Sequence, residues 1–255
     1  MRLDLWLVEN SYASSRARAQ KEIRAGRVMV NQHVIRKPAY TVTLDDRVEM
    51  KSPFNPYVSV GGVKLEAALR TFQIDVRGLT ILDVGASTGG FTDCVLKQGA
   101  NKVIAVDVGR DQMVKSLAED ARVILYESKH FLDTDATFFS DVDLLVMDVS
   151  FISSLTLIAH AVKFYQGPMI VLFKPQFASP ETPKSGVVRD IRHHIRLLNQ
   201  FELALRKHAL VLSKLMPSPI KGGRGNIEFL CLITQAGSAN IKINEIVEQA
   251  HAMWQ

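Results

Sequence analysis

Beyond about residue 58 the chain alternates between short apolar runs and longer amphipathic stretches. Short runs of apolar residues are typical of strands that are buried on both faces of a sheet. They predict strands near residues 80–84, 102–107, 122–126, 143–148, 168–174, 209–216 and 227–234. Helices are predicted near residues 63–72, 90–98, 111–118, 153–164 and 191–207. This order predicts an α/β fold with a mostly parallel sheet of seven strands, covered by helices on both faces.

The first fifty residues follow a different pattern. A short helix is predicted over Arg2 to Asn10, and a second one from an N-cap at Ser14 to Ala25, with Gly26 as its stop. Short strands are then predicted from alternating apolar positions at Val28, Val30, Val34, Val42, Leu44 and Val48, with turns at Asn31-Gln32 and Asp45-Asp46. Together these elements predict a small α+β domain.

A proline-containing stretch separates the two patterns. Residues 51–57 hold two prolines and a turn-forming residue, and such a composition is typical of a linker. The expected organisation is therefore a small domain over residues 1–50, a linker over 51–57 and an α/β domain over 58–255.

Composition narrows the class of protein. The chain has 255 residues, 47% of them apolar, and its apolar runs are far shorter than the roughly 20 residues of a membrane span. Cys94 and Cys231 are its two cysteines and lie far apart in sequence, which predicts neither a disulfide framework nor a metal site. We expect a cytoplasmic protein. The net charge is +5, and residues 1–50 carry nine Lys and Arg against six Asp and Glu, which favours a polyanionic partner.

The most informative stretch is residues 81–93. Here a buried strand that contains Asp83 breaks at Gly85, crosses a turn of small residues, and continues from Gly89-Gly90 into a helix. A glycine-rich turn lets a ligand approach the backbone, and a helix N-terminus offers free N–H groups. The next strand ends at Asp107, where a carboxylate is suited to hold the two hydroxyls of a ribose. A nucleoside cofactor is the favoured interpretation.

The same residues also allow an alternative interpretation, in which the protein is a hydrolase. Residues 85–89 also fit the G-x-S-x-G nucleophile elbow, with Ser87 as nucleophile and one of three histidines, His193, His194 or His208, as base. The strand nevertheless looks like the first of its sheet, and no HGGG-type oxyanion loop precedes it. Asp83 also has no role in an elbow. These observations favour the cofactor.

Four polar residues are predicted at one end of the sheet. Asp148 and Lys174 end two successive strands, and Glu228 lies at the start of the last one. Lys64 follows the Gly61-Gly62 pair in the first helix of the domain. Ligands of open α/β sheets bind beyond the carboxyl ends of the strands, so four such residues at one place suggest a catalytic site.

The N-terminal region resembles the RNA-binding module first known from ribosomal small-subunit protein four. The resemblance is carried by Arg2-Leu3-Asp4, residues 15–20, Ile23, residues 26–31, Lys37-Pro38 and Asp46. Such modules place a basic helix and the following hairpin against structured RNA. The resemblance implies RNA contacts by Arg2, Arg16, Arg18, Lys21, Arg24, Arg27 and Lys37.

The chain as a whole resembles the hemolysin A (TlyA) family of rRNA methyltransferases. The motifs are residues 58–69, 83–93, 148–153, 174–177, 186–190 and 218–230. The resemblance implies a Rossmann-like domain of the FtsJ type that uses S-adenosylmethionine to methylate ribose 2′-hydroxyls of ribosomal RNA, with cytidine as the expected nucleoside. The implied cofactor residues are Asp83, Gly85, Ala86, Ser87, Thr88, Gly89, Gly90, Phe91, Asp107 and Val108.

Lys64, Asp148, Lys174 and Glu228 match the Lys-Asp-Lys-Glu tetrad of that family. The resemblance implies that Lys174 is the base or the residue that steers the ribose hydroxyl, positioned by the other three. The chain departs from the family pattern at Val60, Ala178 and residues 127–131. These departures keep open a non-catalytic RNA-binding or ribosome-assembly factor as an alternative. A membrane-active hemolysin is a further alternative, which rests on the family name alone.

Overall fold

The fold is built from two units in the computed structural model, Met1–Pro56 and Tyr57–Gln255. The structure describes residues 1–10, 12–13, 15–43, 45–50, 55–178, 186–235, 237 and 240–254. Among them no helix is long and apolar enough to cross a bilayer.

The first unit combines two helices with a three-stranded antiparallel sheet. Its elements are α1 (Leu3–Glu9), α2 (Arg16–Arg24), β1 (Val28–Val30), β2 (His33–Ile35) and β3 (Val48–Met50). The strand order is β2-β1-β3, which confirms the predicted small α+β unit. Leu3, Leu7, Ile23 and Val28 belong to its core, to which both helices and the sheet contribute apolar side chains.

Two details of this unit differ from the prediction. Ser15 caps α2 by accepting a hydrogen bond from the backbone N–H of Arg18, whereas the predicted cap, Ser14, lies outside the described residues. Val42 belongs to no strand, and Leu44 lies outside the described part. The Asp46 carboxylate accepts hydrogen bonds from the backbone N–H and hydroxyl of Thr43, so a side chain takes the N–H that a strand partner would have taken.

The second unit is a seven-stranded sheet flanked by helices. Its strands are β4 (Thr80–Val84), β5 (Lys102–Val106), β6 (Val123–Tyr126), β7 (Leu144–Met147), β8 (Met169–Phe173), β9 (Val211–Pro217) and β10 (Phe229–Thr234). Its α-helices are α3 (Val60–Phe72), α4 (Gly90–Lys97), α5 (Lys115–Ala118), α6 (Ser154–Ala161), α7 (Pro175–Ala178), α8 (Ile191–Arg206) and α9 (Ile243–Met253).

The strand order in this sheet is β6-β5-β4-β7-β8-β10-β9. The first five of these strands run parallel, and β10 is antiparallel to both β8 and β9. Alternate residues of one strand enter different cores, as Leu82 and Ile81 do, because strand side chains point to opposite faces. The predicted mostly parallel α/β sheet is confirmed. From β4 the chain first adds β5 and β6 on one side, and it then returns to add β7 and β8 on the other side. The strand order therefore reverses at β4, and open sheets bind ligands at such a switch point.

The helix predicted near residues 111–118 is shorter than expected and forms only at Lys115–Ala118. The backbone N–H groups of Asp111 and Gln112 donate to the carboxylate of Glu127, and Asp111 has φ of +54°. A partner outside the segment therefore replaces the first helical turn. The C-terminal helix α9, for which no prediction was made, packs against α8 and β9.

Candidate active site

A cleft of about 450 Å³ lies at the carboxyl ends of β4, β5 and β7. These ends meet because the three strands are parallel neighbours. Its lining is Val84, Gly85, Ser87, Val106, Asp107, Val108, Gln112, Lys129, His130, Phe131, Asp148, Val149, Ser150, Phe151, Ile152 and Leu157. A cleft of this size is within the usual range for small-molecule sites.

The turn after β4 requires glycine at its first position. Gly85 has φ of +84°, and a Cβ there would lie 2.6 Å from the backbone oxygen of Asp148. The absence of a side chain thus lets the end of β7 approach the turn and opens the floor of the cleft. Gly89, at φ of +93°, is the N-cap of α4 and completes the turn.

Asp107 holds this turn from the neighbouring strand. Its carboxylate accepts a hydrogen bond from the backbone N–H of Ser87 at 2.8 Å and another from that of Gly109 at 2.6 Å. Glu127, at the end of β6, holds the next loop in the same way, and these backbone donors lower its pKa. Two carboxylates therefore shape the cleft rim by binding main-chain N–H groups.

Asp83 is close to the cleft but does not line it. Its side chain is fully buried, with Oδ2 accepting a hydrogen bond from the Thr92 hydroxyl at 2.6 Å. Within the described part of the chain, Oδ1 has no hydrogen-bond partner. Burial, with smaller contributions from the charges of Asp148 and Asp107, raises the pKa of Asp83 to about 7.

Lys174 and Asp148 form an ion pair at the carboxyl ends of β8 and β7. Lys174 Nζ lies 2.6 Å from Asp148 Oδ1, and it also donates a hydrogen bond to the Ser150 hydroxyl at 3.0 Å. The Lys174 side chain is 11% exposed and that of Asp148 is 23% exposed. Since Asp148 also lines the cleft, the pair connects the cleft with the end of β8.

Lys64 and Glu228 form a second, more deeply buried pair. Lys64 Nζ lies 2.6 Å from Glu228 Oε2, and the Gln176 side chain donates to Glu228 Oε1 at 3.1 Å. A Cβ at Gly222 would clash with Glu228 Oε1, so glycine at residue 222 lets the loop before β10 cover this pair without moving the carboxylate. A buried pair with satisfied oxygens is a precisely positioned charged group.

Asn226 ties together two loops beside Glu228. The buried Asn226 side chain accepts a hydrogen bond from the backbone N–H of Val188 and donates to the backbone oxygens of Gly186 and Gly223. Residues 186–188 are thereby fastened to the loop that covers Glu228.

Phe151 is an unusual residue at the mouth of the cleft. Its side chain is 92% exposed, although it is a large aromatic group. Its backbone has φ of +68°, a conformation that a non-glycine residue adopts at a cost of about 1–3 kcal/mol. Its ring lies 5.4 Å, centroid to centroid, from that of Phe177. The fold thus holds an exposed aromatic ring beside Ser150 and the cleft.

The expected cofactor residues fall into two groups. Gly85, Ser87, Asp107 and Val108 line the cleft. The others lie in or under the turn and do not line it, and these are Asp83, Ala86, Thr88, Gly89, Gly90 and Phe91.

The elbow alternative gains no support from the positions of its residues. The Ser87 hydroxyl donates to the Gln112 side chain at 3.2 Å. Nδ1 of His194 lies 3.0 Å from Nε2 of His251, so its partner is a second histidine on α9.

The expected RNA-binding residues lie in the first unit, and several contact acidic or backbone groups there. Arg2 and Arg16 bind the buried carboxylate of Asp4, and Arg27 forms an ion pair with Glu22. Arg18 donates to the backbone oxygen of Asn55 and Arg24 to the side chain of Gln20. Lys21 and Lys37 have exposed side chains.

Comparison with known protein families decides the relationship. The model of the FtsJ-like methyltransferase family matches residues 57–235, and that of the S4 domain matches residues 1–48. The chain belongs to the FtsJ-like methyltransferase family. It is therefore a methyltransferase by family, with an N-terminal S4 domain.

Individual relatives of this FtsJ-like methyltransferase extend over most of the chain. Hemolysin A of Brachyspira hyodysenteriae is 39% identical over 90% of this chain and 98% of its own. The 16S/23S rRNA (cytidine-2′-O)-methyltransferase TlyA of Mycobacterium tuberculosis is 36% identical over 93% of this chain and 91% of its own. The resemblance to the hemolysin A (TlyA) family is confirmed.

Solved structures agree with this FtsJ-like methyltransferase assignment. A structure from Streptococcus thermophilus that carries the name hemolysin has a TM-score of 0.79 and 34% identity, covering 100% of this chain and 96% of that one. An S-adenosylmethionine-dependent methyltransferase from Mesorhizobium loti has a TM-score of 0.51 at 14% identity, covering 69% of this chain and 99% of that one. The second likeness shows the fold alone.

Several residues of this methyltransferase site were not assigned a role from sequence. Ser150, Gln176 and Asn226 contact the charged residues or their loops, and Phe151 stands at the cleft mouth. All four lie inside motifs that carry the family resemblance, which was the available signal. The exposure of Phe151 had no signal, because an isolated phenylalanine usually indicates a core position.

Proposed function

We propose that this chain transfers a methyl group from S-adenosylmethionine to the ribose 2′-hydroxyl of a cytidine in ribosomal RNA. The proposal rests on two ion pairs at the end of the sheet where the cleft opens. These are Lys174–Asp148 and Lys64–Glu228. The relative TlyA of Mycobacterium tuberculosis is named for this reaction. Because ribosomal RNA is the substrate, we place the activity in the cytoplasm.

The cleft fits the cofactor. Gly85 leaves space where a Cβ would reach the backbone of β7, and the Asp107 carboxylate lies on the wall where a ribose would bind. Bound S-adenosylmethionine supplies an electrophilic methyl group attached to a sulfonium. Gly85, Ser87, Asp107 and Val108 would contact it directly, whereas buried Asp83 would act by supporting the turn through Thr92.

Lys174 is assigned the steering role. An ammonium group that is paired with a carboxylate at 2.6 Å donates hydrogen bonds and has no lone pair with which to accept a proton. Lys174 therefore orients the ribose oxygen by donating to it, while Asp148 and Ser150 keep Nζ in place. Asp148, the cleft-lining carboxylate beside Lys174, would accept the hydroxyl proton when the ribose oxygen takes the methyl group that the bound cofactor would supply.

Lys64 and Glu228 are assigned to holding the substrate ribose. Their charges are buried together, so the free energy of desolvation is offset only while both partners stay in contact. Gln176 and the loop at Gly222 keep Glu228 in one orientation. This pair is thus a fixed set of hydrogen-bonding groups at the same end of the sheet as Lys174.

The first unit and Phe151 are assigned to the RNA. The basic residues of the S4 domain would supply salt-dependent affinity for the phosphates. Phe151, exposed at the cleft mouth, would stack on an unpaired base, because aromatic side chains commonly bind unstacked bases of RNA in this way. We retain residues 1–50, 51–57 and 58–255 as the proposed RNA-binding domain, linker and catalytic domain.

The test is methyl transfer from labelled cofactor to purified ribosomal subunits that lack the modification, followed by mapping of the methylated ribose. Replacing Lys174 by Met should reduce the rate by a factor of about 100 or more, because the oriented donor is lost. Lys174→Arg should stay at least about tenfold faster than Lys174→Met, since arginine donates but does not accept a proton. Lys163→Met, a change at an exposed lysine of the same unit, is the matched control and should retain the wild-type rate.

Each result discriminates between alternatives. If Lys174→Arg is as slow as Lys174→Met, the steering role is wrong and proton acceptance by Lys174 is favoured. If the wild-type protein binds the subunits and the cofactor but labels neither subunit, the chain is a non-catalytic RNA-binding factor.

A further inference from the structure

The buried carboxylate of Asp4 organises the basic face of the first unit. Asp4 lies near the start of α1, and its side chain is fully buried although it is charged. It accepts hydrogen bonds from Arg2 Nε and Nη2, both at 2.9 Å, from Arg16 Nε at 3.0 Å and from Gln20 Nε2 at 2.8 Å. One carboxylate therefore binds two arginines and one amide.

The geometry brings the two guanidinium groups close together. Arg2 Nη2 and Arg16 Nε both bind the same oxygen, Asp4 Oδ2, so these two nitrogens are at most about 6 Å apart. Two like charges at that distance repel each other, and an anion between them offsets the repulsion by attracting both. Asp4 supplies that anion from the protein side, and the arginine side chains remain 42% and 52% exposed.

Gln20 extends the arrangement along α2. Its amide nitrogen donates to Asp4, and its amide oxygen accepts a hydrogen bond from Arg24 Nη2 at 3.2 Å. Arg16, Gln20 and Arg24 follow one another at intervals of four residues, so they lie on one face of the helix. Three arginines are thus connected, directly or through one amide, to a single buried carboxylate.

We propose that Asp4 is a positioning residue for RNA binding, which fixes Arg2, Arg16 and, through Gln20, Arg24 as one prearranged site for backbone phosphate. A guanidinium offers five N–H donors, and the contacts to Asp4 use two of those on Arg2 and one on Arg16. The outer donors remain for phosphate oxygens. Side chains that are already ordered lose less conformational entropy on binding. The proposal rests on the proposed function, since it concerns how the S4 domain holds ribosomal RNA.

A substitution of Asp4 can distinguish a positioning role of its carboxylate from an effect of net charge on RNA binding. Asp4→Asn makes the basic face more positive by one unit, so free charges would bind a polyanion at least as tightly as before. If Asp4 positions the arginines, the variant binds more weakly in spite of its higher charge. Glu9→Gln is the matched control, because it makes the same charge change on the same helix at an exposed residue.

The measurement is equilibrium binding of the full-length variants to purified, unmodified ribosomal subunits over a range of salt concentrations. Asp4→Asn should bind about tenfold more weakly than wild type, and the slope of log K against log salt should fall by about 1 to 2, as expected for the loss of one or two phosphate contacts. Glu9→Gln should match the wild type or bind slightly more tightly. Asp4→Asn binding as tightly as Glu9→Gln, with an unchanged slope, would overturn the proposal.

A second variant guards against misfolding of Asp4→Asn. Arg16→Lys keeps the charge but lacks the Nε–H that binds Asp4, and lysine is a point charge on a flexible stem. It should also weaken binding while its thermal unfolding stays close to that of wild type. Full binding by Arg16→Lys would contradict the proposal. If the wild-type protein itself does not bind subunits, the proposed function fails, and the cofactor affinity of the same sample shows whether the second unit is intact.

Discussion

Two fully buried carboxylates, one in each unit, show opposite electrostatic behaviour. Asp4 in the first unit accepts hydrogen bonds from two arginines and a glutamine, and these donors, Arg2 foremost, hold its pKa far below the usual carboxyl range. Asp83 in the second unit accepts one hydrogen bond from the Thr92 side chain, and burial raises its pKa to about 7. Neither side chain is exposed to solvent, but Asp83 lies much deeper inside its unit than Asp4, so the difference comes from the depth of burial as well as from the donors.

The two units use these buried aspartates in different ways. In the first unit, Arg2 and Arg16 bind the charged Asp4, and these ion pairs order the basic surface. Around Asp83 the fold provides a single hydroxyl and the nearby negative charges of Asp107 and Asp148. The carboxyl group there bears a proton more readily and serves the turn that shapes the cleft. A buried aspartate is therefore not a sufficient indication of a ligand contact.

Removing the carboxylate of Asp4 should have the largest effect on stability. Asp4→Ala leaves Arg2, Arg16 and Gln20 without their common acceptor, and we expect a loss of about 2–3 kcal/mol in the first unit, since the arginines are partly exposed. Urea unfolding can be followed by Trp6 fluorescence in a Trp254→Phe background, because each unit contains one of the two tryptophans. Glu9→Ala is the control and should change stability by less than about 0.5 kcal/mol. An equally small effect of Asp4→Ala would contradict the view that the donors stabilise the charged carboxylate.

Asp83 should make the second unit less stable as the pH rises. A carboxyl group with a lowered pKa, such as Asp4, has the opposite effect on its unit. The raised pKa of Asp83 means that the folded state binds more protons than the unfolded state between about pH 4 and 7, so this contribution is lost as pH rises. The stability of wild type relative to Asp83→Asn should fall by roughly 2 kcal/mol from pH 5 to pH 7 and then level off. The measurement is urea unfolding followed by Trp254 in a Trp6→Phe background.

Asp83→Asn is needed as the reference because a buried histidine, His194, also changes its protonation state at acidic pH. Burial lowers the pKa of His194 to about 4, so its protonation destabilises the second unit as pH falls. Subtracting the profile of Asp83→Asn removes that contribution. A difference that does not change with pH would show that Asp83 is ionised throughout, as Asp4 is. Asp83→Asn should also bind the cofactor more tightly than Asp107→Asn, whose side chain lines the cleft.

The smallest effect is expected from the one donor of Asp83. Thr92→Val removes the hydroxyl that binds Asp83 Oδ2 and keeps the shape of the side chain, so stability should fall by about 1 kcal/mol at pH 8. The same change should raise the pKa of Asp83 further, which moves the pH-dependent loss to higher pH. An unchanged midpoint would indicate that the hydroxyl contributes nothing to the charged form, and the contrast with Asp4 would then come from the burial of Asp83 and from the donors around Asp4.

Much of the fold follows from local patterns. The seven strands form where apolar runs predict them, and the inner strands β7 and β8 show the reason most clearly, because strands that are buried on both faces are mostly apolar. The glycine turn after β4 was also recognisable, since Gly85 and Gly89 adopt positive φ angles that other residues avoid. The helix predicted at residues 111–118 forms only over its second half, Lys115–Ala118, because the N–H groups of Asp111 and Gln112 bind Glu127, a residue outside the helix.

Sequence patterns alone were enough to predict most of the elements in their order, the family and the set of polar residues at the strand ends. Folding in three dimensions set how those residues pair: Lys64 with Glu228, which lies 164 positions away, and Lys174 with Asp148. It likewise decided that Asp4 stays charged between arginines while Asp83 is buried with one hydroxyl. The physical reason is that periodicity and turn chemistry act between neighbours in sequence, whereas the charge state of a group depends on donors and solvent brought together by folding.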